Sequence, residues 1–124
     1  MNYNESNYDI RNNELFGYYG VEEDIILPST IYRIREKAFR GNKTLKSIVI
    51  SNSVTQIDWG AFSFCENLGT VTIPASVNII SISAFEGCKK LQHIIIEENR
   101  HYYSVGNIIY SKENTEEIIS TDIL

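Results

Sequence analysis

Ile57-Asp58-Trp59-Gly60-Ala61-Phe62-Ser63-Phe64-Cys65-Glu66-Asn67-Leu68-Gly69-Thr70-Val71-Thr72-Ile73-Pro74 carries the pattern from which the architecture follows, because its apolar positions return at one spacing on both sides of it. Segments 25–47, 48–70 and 71–93 align without a gap, each 23 residues long, and a fourth begins at Ile94. The shared columns are Ile25, Ile48, Val71, Ile94; Leu27, Ile50, Ile73, Ile96; Ile31, Val54, Val77; and Ile34, Ile57, Ile80. Ala38, Ala61, Ala84; Phe39, Phe62, Phe85; and Leu45, Leu68, Leu91 complete them. Three successive copies of Ala-Phe at identical spacing mark an internal repeat, and a repeat changes every later inference.

Each unit opens with alternation. In Ser47-Ile48-Val49-Ile50 the two isoleucines fall on one face of a strand and Val49 on the other. Turn elements follow at Leu27-Pro28-Ser29, Ile50-Ser51-Asn52 and Ile73-Pro74-Ala75, where Pro28 and Pro74 fix φ and remove a donor, so the ladder ends there. A second short extended stretch, such as Val54-Thr55-Gln56-Ile57, leads into Gly60-Ala61-Phe62, read as one helical or 3-10 turn. A unit this short buries its apolar face only by stacking on a neighbour, which defines a solenoid with parallel strands about 4.8 Å apart. Both ends then need caps. Tyr8–Arg11 and 14–19 flank Asn12-Asn13, a pair that tolerates positive φ, and 102–105 and 107–111 flank Gly106, with a third extended stretch at 117–119. The expected organisation is one domain: tail and β cap at 1–24, three repeats at 25–93, and a last strand with a β cap at 94–124.

Ile57, Ala61, Phe62, Cys65, Leu68, Val71, Ile73 and Pro74 together resemble the BspA-like, treponemal-type leucine-rich repeat family. The resemblance covers 25–96 closely and the ends more loosely, through Asp9-Ile10-Arg11-Asn12 and through Asn99, Tyr102, Ser104, Gly106 and Tyr110. It implies a leucine-rich repeat solenoid of the α/β superhelix class, mostly β with short helical or 3-10 turns. It also implies a non-enzymatic protein-interaction module of bacterial surface proteins that adhere to host or matrix proteins. This sequence departs from the pattern at Ser51 for the turn proline, at Asn42 for the cysteine, and at Arg35, Asp58 and Ser81, where glycine is frequent. The last departure suggests a backbone position that does not need positive φ.

The 124 residues, 43% hydrophobic, suit one domain, and a formal net charge of -5 disfavours nucleic acid, whose binders are usually basic. The start lacks the basic and apolar regions of a secretory signal, and no apolar run could span a bilayer. A cytoplasmic protein is expected if this is the whole product, and a surface or secreted one by the resemblance. No cofactor, metal site or catalytic constellation is expected; His93 and His101, with Glu97 and Glu98 between them, are too sparse a set. Cys65 and Cys88 lie one period apart, within disulfide reach, but side chains stacked in one column point in parallel and are read as buried thiols. An amide at Asn42 in that column should bond to the backbone of adjacent turns.

Two surfaces are candidates for binding. On the sheet face directed away from the core stand Ile26, Val49, Thr72 and Ile95, with Ser47, Thr70 and His93 alongside. Ordered, exposed β-branched residues on a concave sheet make a docking strip, although such residues also simply favour strands. Repeat 25–47 carries six basic residues and one acidic one. Its Arg33, Arg35 and Lys37 alternate opposite Ile34, either as a solvated basic patch on the convex side or as a contact for an acidic partner. Trp59 and Ile82 form a further outward apolar column that covers the core edge or meets a partner. A structural spacer with no ligand of its own is the rival reading of the whole chain.

Overall fold

The computed structural model describes residues 5–113 and 117–120, the last four as backbone alone. A 3-10 turn at Glu5–Asn7 leads into a hairpin of β1 (Tyr8–Arg11) and β2 (Glu14–Tyr18). The coils then alternate a longer strand with a two-residue one: β3 (Asp24–Ile26), β4 (Arg33–Ile34), β5 (Ser47–Val49), β6 (Gln56–Ile57), β7 (Thr70–Ile73), β8 (Ile79–Ile80) and β9 (His93–Ile96). The chain closes with β10 (Tyr102–Val105), β11 (Ile108–Ser111) and β12 (Glu117–Ser120). The expected tail residues 1–4, and 114–116 and 121–124 of the C-terminal cap, lie outside the described residues.

The result is a β-solenoid with two parallel sheets. β3-β5-β7-β9 form a four-stranded sheet, and β1-β2-β4-β6-β8 form a five-stranded one, parallel throughout except for the β1–β2 hairpin. Registers such as Ile25↔Ile48, Ile48↔Val71 and Val71↔Ile94 place each residue on its counterpart 23 positions later. The apolar columns therefore stack within one core, where Phe39, Phe62 and Phe85 are almost fully buried. Their rings are stacked nearly parallel, with centroids 4.9 and 5.3 Å apart.

The segment around Gly60-Ala61-Phe62, expected as one helical or 3-10 turn, forms single turns closed by bonds between residues three apart, without a helix. Alternate amides serve two ladders: Ala61 and Ser63 donate to Asp58 and Gly60 of their own coil, whereas Phe62 and Phe64 donate to Ala84 and Glu86 of the next. A helix would claim all of these donors locally. Left-handed residues enforce the pattern, and they fall in two columns, Lys37, Gly60, Ser83 (φ 62, 64 and 61) and Gly41, Phe64, Gly87 (φ 74, 59 and 75). Positive φ is thus needed, two residues after the column of Arg35, Asp58 and Ser81, and half of these positions carry a side chain that L-residues hold there only at a cost.

Each end is closed by a hairpin. Asn12 and Asn13 turn β1 into β2 with φ of 51 and 63, and β2 then joins the five-stranded sheet through Leu15↔Ile34. Tyr8 and Tyr18 extend the phenylalanine stack, with centroids 5.0 Å from each other and 5.4 Å from Tyr18 to Phe39. At the other end β10–β11–β12 form an antiparallel sheet, with Gly106 in the β10–β11 turn at φ 60. The Ile94 amide donates to the Gly106 carbonyl at 2.9 Å, the Ser104 hydroxyl donates to the Ile94 carbonyl, and Ile109 is buried against the core.

Asn99 fastens that cap. It occupies the column of Ser53 and Ser76, whose hydroxyls donate to the Ile31 and Val54 carbonyls of the preceding coil, each at 2.6 Å. The Asn99 amide nitrogen continues the ladder to Val77 at 2.6 Å and reaches Pro74 at 3.2 Å, while its oxygen accepts the His101 and Tyr102 amides. The cysteine column behaves likewise: both thiols are free and buried, and Cys65 and Cys88 donate to the Phe39 and Phe62 carbonyls at 3.1 Å. Asn42 departs from expectation. Its side-chain oxygen accepts from the Thr44 amide and hydroxyl and the Leu45 amide, so it caps a turn within its own coil instead of bonding adjacent turns.

Candidate functional site

On the four-stranded sheet every second side chain faces solvent, and the register aligns these into two rows across all four strands. One row is Ile26, Val49, Thr72 and Ile95; the other is Asp24, Ser47, Thr70 and His93. Ile26 is 67% exposed, Ile95 46% and Val49 41%, while Thr72, Ser47 and Thr70 are half-buried and His93 is exposed. Asp24, which the repeat pattern did not single out, accepts the Ser47 hydroxyl at 2.6 Å and so ties β3 to β5 at the side-chain level. Asp24 shares its column with Ser47, Thr70 and His93, one residue before the first aligned repeat, and that offset is the signal that would have found it. Glu23 and Lys46 flank the face with an exposed ion pair of 3.5 Å, worth little energetically but a source of charge at its margin.

This surface is held from below. The side chains beneath it (Ile25, Ile48, Val71 and Ile94) are buried, and coil-to-coil bonds such as Leu27 to Val49 and Ile50 to Thr72 fix the backbone. Among the described residues no group of three His, Cys, Asp or Glu side chains is placed to hold a metal ion.

The outward face of the five-stranded sheet is a charge network, which corrects the expectation of an open basic patch. Arg33 pairs with Asp58 at 3.0 Å and stands 3.7 Å from Glu14; Arg35 pairs with Glu14 at 3.2 Å and with Glu36 at 3.1 Å. Asp58, almost completely buried, also accepts the Gln56 amide at 2.9 Å. Glu36 is held below the usual carboxylate range by its own backbone amide and by Arg35. The physical reason for the correction is that Glu14 comes from the cap strand and Asp58 from the next coil, and both flank the strand of the arginines. Lys37 turns away from this network, with its ammonium 4.9 Å from the centre of the Trp59 ring.

Among the described residues no helix is long and apolar enough to cross a membrane. Six copies of the BspA-type leucine-rich repeat region match residues 10–123. No curated relative matches the chain. Similar solved structures include a leucine-rich repeat protein from Eubacterium ventriosum (16% identity, TM-score 0.37, covering 80% of this chain and 41% of that one). The leucine-rich repeat protein of T. pallidum is also similar (17% identity, TM-score 0.37, 73% of this chain and 79% of that one). A leucine-rich cell surface protein from Faecalibacterium prausnitzii shows 22% identity and a TM-score of 0.34 over 94% of this chain and 41% of that one. The chain thus spans about two-fifths of the length of the first and third of these proteins. With the repeat register, the stacked Ala-Phe columns and a match over 10–123, the chain belongs to the BspA-type leucine-rich repeat family.

Proposed function

We propose that this domain is a non-enzymatic protein-interaction module that docks a protein partner on the exposed face of its four-stranded sheet. The observation that carries the reading is the row Ile26, Val49, Thr72 and Ile95, in which three aliphatic side chains stand exposed on a backbone already fixed by bonds to neighbouring coils. Apolar surface that is ordered before binding loses little conformational entropy when a partner covers it. Ser47, Thr70 and His93 supply polar groups beside it. The family supports an interaction role and a bacterial surface location, and host or matrix proteins are the partner class it suggests. The organisation that goes with this role is the cap at 1–24, the repeats at 25–93 and the closing segment at 94–124.

The test is binding to a panel of immobilised extracellular-matrix proteins, comparing the native chain with Val49→Arg/Thr72→Arg. Saturable binding that disappears in the double variant, with an unchanged melting temperature, is the expected result. Equal binding by the two would remove this face from consideration. A spacer without a ligand would bind nothing on any panel, and its removal from a longer protein would alter only the reach of its neighbours.

A further inference from the structure

A second surface lies on the turn edge of the solenoid, away from the four-stranded sheet. Lys37, Arg40 and Lys43 follow one another along the first coil, and among the described residues none has a carboxylate within ion-pair distance, although the protein carries a net charge of -5. Arg33 and Arg35, a few residues earlier, and Lys46 are paired, so within the first coil the unpaired cations lie on this edge. Two of them stand over exposed rings of the next coil: Lys37 over Trp59 at 4.9 Å and Arg40 over Phe64 at 5.0 Å. Glu66 and Glu86, which share columns with Lys43 and Arg40, form no ion pair with either.

Backbone strain falls on two of the same residues. Lys37 and Phe64 are held at φ 62 and 59; of the equivalent positions Gly60, Gly41 and Gly87 are glycine, and Ser83 (φ 61) is not. A bulky aromatic residue in that region is an outlier, and glycine would meet the backbone demand of Phe64 more easily. The ring does not serve the core: Phe64 is 37% exposed, and it packs beside Gly87, where an added Cβ would come within 2.4 Å of it. Strain kept at an exposed side chain points from the outlier toward a binding role.

We propose that Lys37, Arg40, Lys43, Trp59 and Phe64 form a binding surface for an anionic polysaccharide, with the cations meeting sulfate or carboxylate groups and the rings packing on the sugar faces. This goes beyond the sheet-face reading in both surface and ligand. An acidic peptide fits less well, because peptides dock by main-chain pairing to a strand edge, by anchoring in a groove or, for acidic motifs, on clustered arginines, of which this edge has one, Arg40. Here each amide from Lys37 to Asn42 and from Ala61 to Cys65 is already donated within or between coils. The surface offers only cations and ring faces, a pairing that also gains from cation–aromatic attraction.

The experiment measures binding of a heparin oligosaccharide to the native chain, to Phe64→Gly and to Arg40→Ala/Lys43→Ala, each with its melting temperature. The native chain should bind at low salt and weaken as salt rises. Phe64→Gly should bind about tenfold more weakly while melting at the same or a higher temperature, since it loses a ring and relieves the left-handed backbone. The double charge variant should lose binding to at least the same degree. Three results would each overturn the proposal: no heparin binding by the native chain, undiminished binding by Phe64→Gly, or displacement of heparin by a poly-glutamate peptide at equal charge concentration.

Discussion

At the N-terminal end Tyr8 and Tyr18 lengthen the phenylalanine stack by two rings, and β2 adds a further parallel strand beside β4. At the C-terminal end the described ring stack stops at Phe85, and the buried Asn99 amide, which bonds two carbonyls behind it and two amides ahead of it, works beside the Ile94–Gly106 and Ser104–Ile94 bonds and buried Ile109. The first cap continues the repeat and is fastened by dispersion and area burial. The second breaks the repeat, and beside the burial of Ile109 it depends on buried polar groups being satisfied. Loss of one polar atom should therefore be tolerated at the first end and not at the second, because a buried group left without its partner costs more than a hydrogen bond is worth on balance.

The largest effect is expected in the region common to both ends. Phe62 is stacked on both sides, and Phe62→Ala should destabilise by about 3–5 kcal/mol in urea or thermal unfolding, enough to unfold so short a solenoid. A small shift would mean that the ring column does not hold the coils together. Asn99→Ala removes the side-chain partner of the Val77 carbonyl and of the His101 and Tyr102 amides, while the Pro74 carbonyl keeps the Val77 amide, and should cost about 2–3 kcal/mol, loosening β10 before the centre. Tyr18→Phe keeps the ring and removes only the hydroxyl that accepts the Glu22 amide at 3.2 Å, so about 1 kcal/mol or less is expected from the same unfolding curve. If Tyr18→Phe cost as much as Asn99→Ala, the contrast between the ends would fail.

High pH probes both regions. Burial pushes the Tyr18 phenol up and the Cys88 thiol up from 9.0 to about 12, and both groups are neutral when protonated. Since the folded values lie above the unfolded ones, their contribution is intact below about pH 9 and falls away as pH climbs toward 12. Stability measured across that window should decline, and a thiol reagent at pH 8 should leave native Cys65 and Cys88 unmodified until the chain unfolds. The smallest effect, and one of opposite sign, belongs to Ser83→Gly. It removes a left-handed L-residue and should stabilise by about 0.5–1 kcal/mol, read as a higher melting temperature.

The period of 23 residues made most of the fold legible, since it marks which side chains stack: Ala61, Phe62 and Leu68 could be assigned to the core without a structure. It could not register the cap against the coils. Leu15 pairs with Ile34 across 19 residues, off the period, so nothing in the repeat placed Glu14 beside Arg33 and Arg35 or showed that their charges are met. Local chemistry was also hidden where two residue types serve one backbone demand. Lys37 and Phe64 stand where glycine would be expected, and the left-handed columns became visible only from φ. The rows of the exposed sheet face followed from alternation alone, but alternation does not reveal that Ser47 is tied to Asp24.

Amide hydrogen exchange tests the central claim, a solenoid closed at both ends that holds its sheet faces ready-made. The amides of Ile50, Phe62 and Gly41, which bond from coil to coil, should exchange only through global unfolding, and those of Tyr18 and Ile94, which bond the caps to the coils, should be protected to within about tenfold of them. Exchange at Ile94 or Tyr18 faster than this by orders of magnitude, with the central amides still protected, would show an open end and contradict the account.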